Sequence, residues 1–335
     1  MLSRVSESLY WMSRYAERAE NILRFVDVNQ QLMLDVPSRQ GRELAKNWLP
    51  IVDCLGDAEL FQERKLKPNA ASVTDFLVFD RSHFNSVAGC LAAARENART
   101  IREHLSNEMW EQINRTYLWF MSKSARASFD RNHYEFLQRS KKTLQLFQGI
   151  TETTMLHGEG YDFIQIGKHL ERADKTSRLL DEEYHLLQQG ETSPNDVLLQ
   201  WLAVLRSCSA RHIYQRIYAR AVEPIKVAEL LTLNEALPRS IQFCARQIDT
   251  ALRRISGVPT GRYSNDAEKL SGRLTAELSF SSIGDICAPG LHQAMDEIQI
   301  KLNNIGAAIV DTYIENTQPA FVDSLAHSQS TQPQQ

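Results

Sequence analysis

Arg14-x-x-Glu17-Arg18-Ala19-Glu20-x-x-x-Arg24-x-x-Asp27 is echoed later in the chain by Lys168-x-x-Glu171-Arg172-Ala173-Asp174-x-x-x-Arg178-x-x-Asp181. Every matched position recurs 154 residues later, as from Glu17 to Glu171. A single Glu-Arg dipeptide occurs by chance, but a whole string at one offset indicates a duplicated unit. The sequence therefore predicts two related halves, residues 1–155 and 156–317.

The same offset holds far from this string. Asn85-Ser86-Val87 aligns with Arg239-Ser240-Ile241. Single residues in the same register are Val73 with Val227, Cys54 with Cys208, Cys90 with Cys244, and Arg99 with Arg253. Because a register without slips spans most of the chain, we expect two halves related by a pseudo-twofold axis around one shared core.

The composition favours an all-α fold. The 335 residues contain only 14 glycines and 10 prolines, and 43% are hydrophobic, which suffices for a sizeable core. Apolar residues from Val5 to Met33 follow a 4-3 spacing, which predicts a long central helix with a narrow packing seam. Further helices are predicted at 44–55, 82–105, 107–122, 128–156, 161–189, 196–222, 224–232, 238–256, 264–277 and 288–316.

Local signals mark some helix ends. Ser106, with Glu108 in the first turn, predicts an N-cap. Pro238 is predicted at a first helical position, and Gly257 is predicted to end a helix. A loop is expected around residues 65–71, and residues 318–335 are predicted to form a disordered tail because they are rich in Ser, Gln and Pro.

The charge balance limits the function classes. A net charge of −3 and a pI near 6.3 argue against a general nucleic-acid binder, which needs a basic face. Charged residues interrupt the first apolar segment, and no stretch approaches the length of a membrane span. Five scattered cysteines without C-x-x-C spacing are typical of a reducing compartment. We therefore expect a cytoplasmic protein that binds neither nucleic acid nor membrane.

Helical geometry restricts how the repeated charges can pair. Glu17 and Arg18 are adjacent, so their side chains point about 100° apart and do not meet. Pseudo-twofold symmetry suggests that Glu17 meets Arg172 while Glu171 meets Arg18. Within one helix, the candidate pairs are Arg14–Glu17, Glu17–Asn21 and Glu20–Arg24. Arginine and carboxylate match as bidentate partners, so the motif is either a structural or partner-binding clamp, or a pocket for a ligand's carboxylate or phosphate.

The candidate site therefore consists of charged residues from both copies. They are Arg14, Glu17, Arg18, Glu20, Arg24, Lys168, Glu171, Arg172 and Arg178. Secondary candidates are Tyr10, Trp11, Asn21 and Arg239, with Arg95, Arg99 and Arg102. The last three follow i, i+4 and i+7 spacing, which is typical either of a solvated helix face or of a cationic ladder for an acidic partner. The first copy is richer in arginine and aromatic residues, so we expect it to carry the function if only one does.

Motifs for metal binding and catalysis are weak. Glu182-x-x-His185 resembles half of a carboxylate-bridged di-metal motif, but the second half and two further carboxylates are missing. The histidines show no paired ligand spacing, and the sequence contains no P-loop, Gly-x-Gly-x-x-Gly or Gly-x-Ser-x-Gly motif. The sequence predicts no metal site and gives no catalytic residue.

Five strings in order resemble a known family. They are the segments 1–5, 9–21 and 94–99, the Glu-Arg string at 167–174 with Thr154-Met155 before it, and Pro238-Arg239-Ser240-Ile241. They are similar to the bacterial alpha-E family, all-helical proteins named for a Glu-Arg motif, and the resemblance covers residues 1–317. One departure lies at Phe84, where the second copy has Pro238.

The resemblance implies an association more than a reaction. Alpha-E proteins are associated with circularly permuted ATP-grasp ligases, sometimes in one chain, and with transglutaminase-like and proteasome-like peptidases. It implies a subunit that assists an amide-bond-forming ligase, with ATP and Mg on the ligase and no cofactor bound by this chain.

Two other functions stay open from the sequence. One is a stand-alone enzyme with Glu17 or Glu171 as general base in an Arg-lined pocket, and the other is a purely structural helical adaptor.

Overall fold

A computed structural model describes residues 1–35, 48–188, 194–219 and 221–315. The fold is all-α, with about 80% of the chain helical and no strand in the described ranges. The α-helices in chain order are α1 Ser3–Asp35, α2 Leu49–Leu55, α3 Ala58–Glu63, α4 Ala70–Thr74, α5 Val87–Thr100, α6 Asn107–Phe120, α7 Lys123–Arg131, α8 His133–Thr154, α9 Glu159–Gln188, α10 Pro194–Ser207, α11 Arg211–Tyr218, α12 Pro224–Leu233, α13 Ile241–Ser256, α14 Asp266–Phe280, α15 Ile283–Ile286 and α16 Leu291–Val310. Short π-helices span Asp75–Phe79 and Asp311–Glu315, and a 3-10 turn spans Arg102–His104.

Helices α1 and α9 form the centre of the bundle. They pack most extensively against each other, and each is then covered by further helices: α1 by α5, α8 and α10, and α9 by α13, α16 and α2. Their seam residues Leu9, Ala19, Ile166 and Ala173 are fully buried. The two occurrences of the Glu-Arg string therefore lie on the two helices at the centre of the bundle.

Packing in one half is matched in the other at the offset of 154. Contacts of α1 with α5, α8 and α10 correspond to contacts of α9 with α13, α16 and α2, and α5–α6 and α6–α8 correspond to α13–α14 and α14–α16. These correspondences support the hypothesis of a duplicated unit, which is our interpretation of the architecture.

Two equivalent helix starts use the same hydrogen bonds. Ser86 caps α5 by accepting from the Gly89 amide, and Ser240 caps α13 by accepting from the Phe243 amide. Both hydroxyls also donate to a carbonyl six residues upstream, that of Asp80 for Ser86 and that of Asn234 for Ser240. These turns place residues 85 and 239 beside the central helices.

Several predicted helix boundaries are wrong because local capping outweighs periodicity. Pro238 lies in the turn before α13, since Ser240 is the N-cap. The predicted helix at 82–105 is shortened to α5 by the Ser86 cap and ends at Thr100. The predicted helix at 128–156 is divided at Asn132, which caps α8, and the one at 196–222 is divided at Ser209, which has a left-handed φ of 54°.

Other sequence predictions have mixed outcomes. Ser106 caps α6 by accepting from the Met109 amide, and Gly257 ends α13 with a left-handed φ of 74°, as predicted. The start of the predicted helix at 44–55 and the tail at 318–335 lie outside the described residues. Among the described helices, none combines the length and the apolar character needed to cross a bilayer.

Candidate functional site

The carboxylate of Glu171 binds two arginines of the opposite helix. Arg18 donates from Nε to Oε1 at 2.7 Å and from Nη2 to Oε2 at 3.0 Å. Arg14 donates from Nε and Nη2 to Oε2 at 3.0 and 2.9 Å. Glu171 is fully buried, and its oxygens accept four charged hydrogen bonds. This carboxylate therefore pins α9 to α1.

The carboxylate of Glu17 makes the reciprocal contact. Arg172 donates from Nε to Oε1 at 2.9 Å and from Nη2 to Oε2 at 2.8 Å, which is a bidentate pair. Arg239 Nη2 lies 3.2 Å from Oε1, and Gln148 Nε2 donates to Oε2 at 2.8 Å. The predicted exchange of partners between the two copies is thus present in the geometry.

The intrahelical pairs were predicted less well. Glu20 accepts from Arg24 at 3.1 and 2.6 Å, as the i+4 spacing indicates. Arg14 turns to Glu171 instead of Glu17, and Asn21 Oδ1 accepts from Arg239 at 2.6 Å instead of contacting Glu17. The interhelical partners prevail because Glu17 and Glu171 face the α1–α9 contact, where the other helix supplies the donors.

Electrostatics keep both glutamates ionised. Burial alone would raise the pKa of Glu17, but the charges of Arg172 and Arg239 outweigh burial and hold it far below its ordinary value. For Glu171, the charges of Arg18 and Arg14 likewise outweigh burial and lower the pKa. Both carboxylates are charged throughout the physiological pH range.

This depression of the pKa predicts acid sensitivity. A carboxyl group with a lowered folded-state pKa contributes stability that is present above its unfolded pKa, about 4.3 for Glu, and lost as pH falls towards the folded value. The free energy of unfolding, measured with urea, should fall between about pH 5 and about pH 3. This fall should be smaller in Glu171→Gln, which has no carboxyl to protonate at this position. An equal fall in both proteins would contradict the assignment.

In the first copy of the motif, two aromatic rings lie next to Arg14. Its guanidinium lies 5.6 Å from the ring centre of Tyr10 and 5.1 Å from that of Trp11, and it donates to the Tyr10 hydroxyl at 3.0 Å. Tyr10 is fully buried and Trp11 partly so. These secondary candidates orient Arg14 towards Glu171.

The second copy differs at the equivalent positions. Lys168 stands where Arg14 does, and within the described ranges it makes no hydrogen bond or ion pair. Burial and the charge of Arg172 lower the pKa of Lys168. Arg178 bonds to Asp174 at 3.0 Å, which repeats the Arg24–Glu20 pair. The two copies therefore share the interhelical pairs but not their surroundings.

A cleft of about 300 Å³ opens beside the Glu17 cluster. Its charged walls are Glu20, Arg24, Arg172 and Arg239, and the remaining lining residues are Gln145, Gln148, Cys208, Ser209, Ile213, Leu237 and Pro238. Ser209 lies at the break between α10 and α11, and its hydroxyl accepts a hydrogen bond from Arg24 Nη1 at 2.5 Å. The buried Glu17–Arg172 pair is therefore adjoined by an open cleft.

Of the two alternatives for Arg95, Arg99 and Arg102, the cationic ladder is not formed. Because α5 ends at Thr100, Arg102 leaves the face and lies 5.4 Å from the Trp110 ring centre. Arg95 donates to Asn114 at 2.7 Å and lies over Tyr117, whereas Arg99 pairs with Glu96 on the surface. Arg95 and Arg102 contact aromatic rings of α6, while Arg99 and Arg102 are exposed, as on a solvated surface.

Neither Glu17 nor Glu171 is available as a general base. A general base needs an accessible oxygen and a pKa near the working pH. Both carboxylates are fully buried, hold lowered pKa values and have their oxygens occupied by arginines. The alternative of a stand-alone enzyme that uses either glutamate as base is therefore rejected.

Some contacts of the cluster had no signal in the sequence. Gln148 donates to Glu17 and Glu20, and Gln145 donates to Glu20 from the same face of α8. Neutral amides within a helix carry no distinctive spacing. Asn85, which accepts from Arg18 at 2.7 Å, could have been found, because it is the register equivalent of Arg239.

A family model matches almost the whole chain. The model, described as a predicted alpha-helical domain with a conserved ER motif, matches residues 1–314. The chain belongs to the Alpha-E family. Glu17-Arg18 and Glu171-Arg172 are Glu-Arg dipeptides of this kind, and here each residue of the dipeptide binds the other helix.

Relatives of this Alpha-E protein are much longer. Uncharacterized proteins of Mycobacterium bovis and of two Mycobacterium tuberculosis strains are 22% identical to it over 312 residues. The match covers 88% of this chain and 34% of each relative, so the chain spans about a third of their length. No solved structure matches the chain significantly.

Within the described ranges, no three or more His, Cys, Asp or Glu side chains are placed to hold a metal ion. Glu182 is described and half-buried, whereas the side chain of His185 lies outside the described residues.

Proposed function

We propose that this Alpha-E protein is a non-catalytic or co-catalytic subunit of an amide-bond-forming ligase of the ATP-grasp type. The observation that carries the proposal is the length of its relatives: the part they share with this chain is one third of a longer polypeptide. Additional sequence in the same chain indicates that the Alpha-E part of these relatives works beside other domains.

The chain's own chemistry agrees with an assisting role. The sequence has no P-loop or Gly-x-Gly-x-x-Gly motif, so ATP and Mg are expected on the ligase. Such a ligase activates a carboxylate as an acyl-phosphate, and an amine then displaces the phosphate to form the amide. The Alpha-E subunit would present the acidic substrate or complete the ligase's active site. Transglutaminase-like or proteasome-like peptidases are proposed for the same pathway.

Reconstitution tests this proposal. The protein should co-purify with an ATP-grasp-type ligase from its own organism, and formation of the amide from the carboxylate and amine substrates, with release of ADP and phosphate, should require both chains. We expect at least about a tenfold gain in rate on adding this chain, as for a missing positioning element. Full activity of the ligase alone, with no change on addition, would refute the role.

A further inference from the structure

The cleft beside Glu17 contains more positive than negative charge. Arg24, Arg172 and Arg239 line it together with one carboxylate, that of Glu20. Counting Glu17, which lies directly behind the wall and binds Arg172, three guanidinium groups face two carboxylates. Burial raises the pKa of the Cys208 thiol to about 11, so this lining residue adds no negative charge.

The excess positive charge in the cleft destabilises the protein unless a further anion neutralises it. Arg239 is almost fully buried, and burial lowers its pKa despite Glu17 and Glu20, with the charges of Arg172 and Arg24 acting in the same direction. Arg239 contacts the carboxylates of Glu17 and Glu20, but it shares them with Arg172 and Arg24, so the hydration that it loses on burial is only partly replaced. An anionic group entering the cleft would supply the missing counter-charge.

Donors for an anion are present at the cleft wall. Arg24 uses three of its five N–H groups on Glu20 and Ser209 in the described contacts, which leaves two for a ligand. Ser209 offers its hydroxyl from a left-handed backbone with φ of 54°, a conformation that is costly for a non-glycine residue and is typical of functional turns.

The shape of the cleft limits the ligand. Its volume of about 300 Å³ is at the lower end for small-molecule sites. Ile213 and Leu237 provide an apolar wall beside the arginines. This combination fits a compact molecule with an anionic head and a short aliphatic stem.

We infer that this cleft binds an oxyanion, a carboxylate or a phosphate, with Arg24 as the ligand-contacting residue at its mouth. The substrate role of this anion rests on the proposed function: a carboxylate on a short stem is the kind of group that an amide ligase activates. Binding itself belongs to this chain and needs no ligase.

Calorimetric titration of the purified full chain tests the inference with three probes. L-glutamate carries a side-chain carboxylate on a short stem, L-glutamine has an uncharged amide in place of that carboxylate, and inorganic phosphate is the other oxyanion. We expect saturable binding of glutamate or phosphate that weakens with added salt. If the cleft binds the side-chain carboxylate, glutamine should bind at least about tenfold more weakly than glutamate. Phosphate binding without glutamate binding would assign the site to phosphate.

Two variants show where the anion binds. Arg24→Gln removes the donor at the mouth and should weaken binding about tenfold. Arg253→Gln removes a comparable partly buried i+4 pair, with Asp249, on α13 and should leave binding unchanged. Thermal unfolding of both variants establishes that they are folded. Absence of saturable oxyanion binding, or unchanged affinity in Arg24→Gln, would overturn the inference.

The outcomes separate this inference from the proposed function. If the isolated chain binds no anion but the ligase still requires it, the cleft inference fails and the function stands. If the chain binds an anion through Arg24 but adding the chain does not change the ligase's rate, the site stands and the proposed function fails.

Discussion

Replacing Glu171 with alanine should lower the free energy of unfolding by about 3–5 kcal/mol, because a buried charged cluster loses its central partner. The change would leave both Arg14 and Arg18 without the carboxylate that accepts four of their hydrogen bonds. Urea unfolding followed by circular dichroism measures the loss.

An exposed ion pair provides the control. Glu96 pairs with Arg99 at 2.5 Å, and both side chains are more than half exposed. Glu96→Ala should change the free energy of unfolding by less than about 0.5 kcal/mol, as surface pairs do. A similarly small effect for Glu171→Ala would mean that the interhelical cluster does not stabilise the fold.

Replacing Gly167 with alanine should also destabilise the protein, by about 2–3 kcal/mol, because this glycine lets α1 and α9 approach closely. A Cβ atom there would lie 2.2 Å from Ser13 Oγ and 2.4 Å from the Tyr10 carbonyl oxygen. Ser13 is the register equivalent of Gly167, so the helices cross where the two copies meet. Separating them would stretch the Glu–Arg bonds one turn away.

Gly149 provides a matched control within α8. A Cβ atom at this exposed position meets nothing within 4 Å. Gly149→Ala should therefore raise the free energy of unfolding by about 0.5–1 kcal/mol through helix propensity alone. If Gly167→Ala stabilised the protein to the same extent, the close crossing of the central helices would be wrong.

The Glu17–Arg172 and Glu171–Arg18 pairs could be predicted from the sequence because helical geometry leaves few alternatives. Adjacent residues on a helix cannot pair, so Glu17 needed a partner elsewhere, and the offset pointed to Arg172. The all-α class and the long first helix followed from composition and periodicity in the same way. What these features share is a local or repeated pattern visible in the chain itself.

The remaining contacts depend on turns and packing that periodicity does not encode. Arg239 reaches Glu17 because the Ser240 cap ends the turn before α13 and directs residue 239 inward. The cleft exists because a left-handed Ser209 divides what the pattern presented as one helix. Arg102 left its predicted face for a similar reason, since α5 ends two residues earlier.

A double-mutant cycle tests the central claim, that the Glu-Arg motif joins two helices rather than two neighbours in sequence. The free energy of unfolding is measured for Glu17→Gln, Arg172→Gln and their combination, and again for Glu17→Gln with Arg18→Gln. We predict a coupling of about 2 kcal/mol or more between Glu17 and Arg172, and a coupling below about 0.5 kcal/mol between Glu17 and Arg18. Negligible coupling between Glu17 and Arg172, or a stronger one between Glu17 and Arg18, would contradict the account.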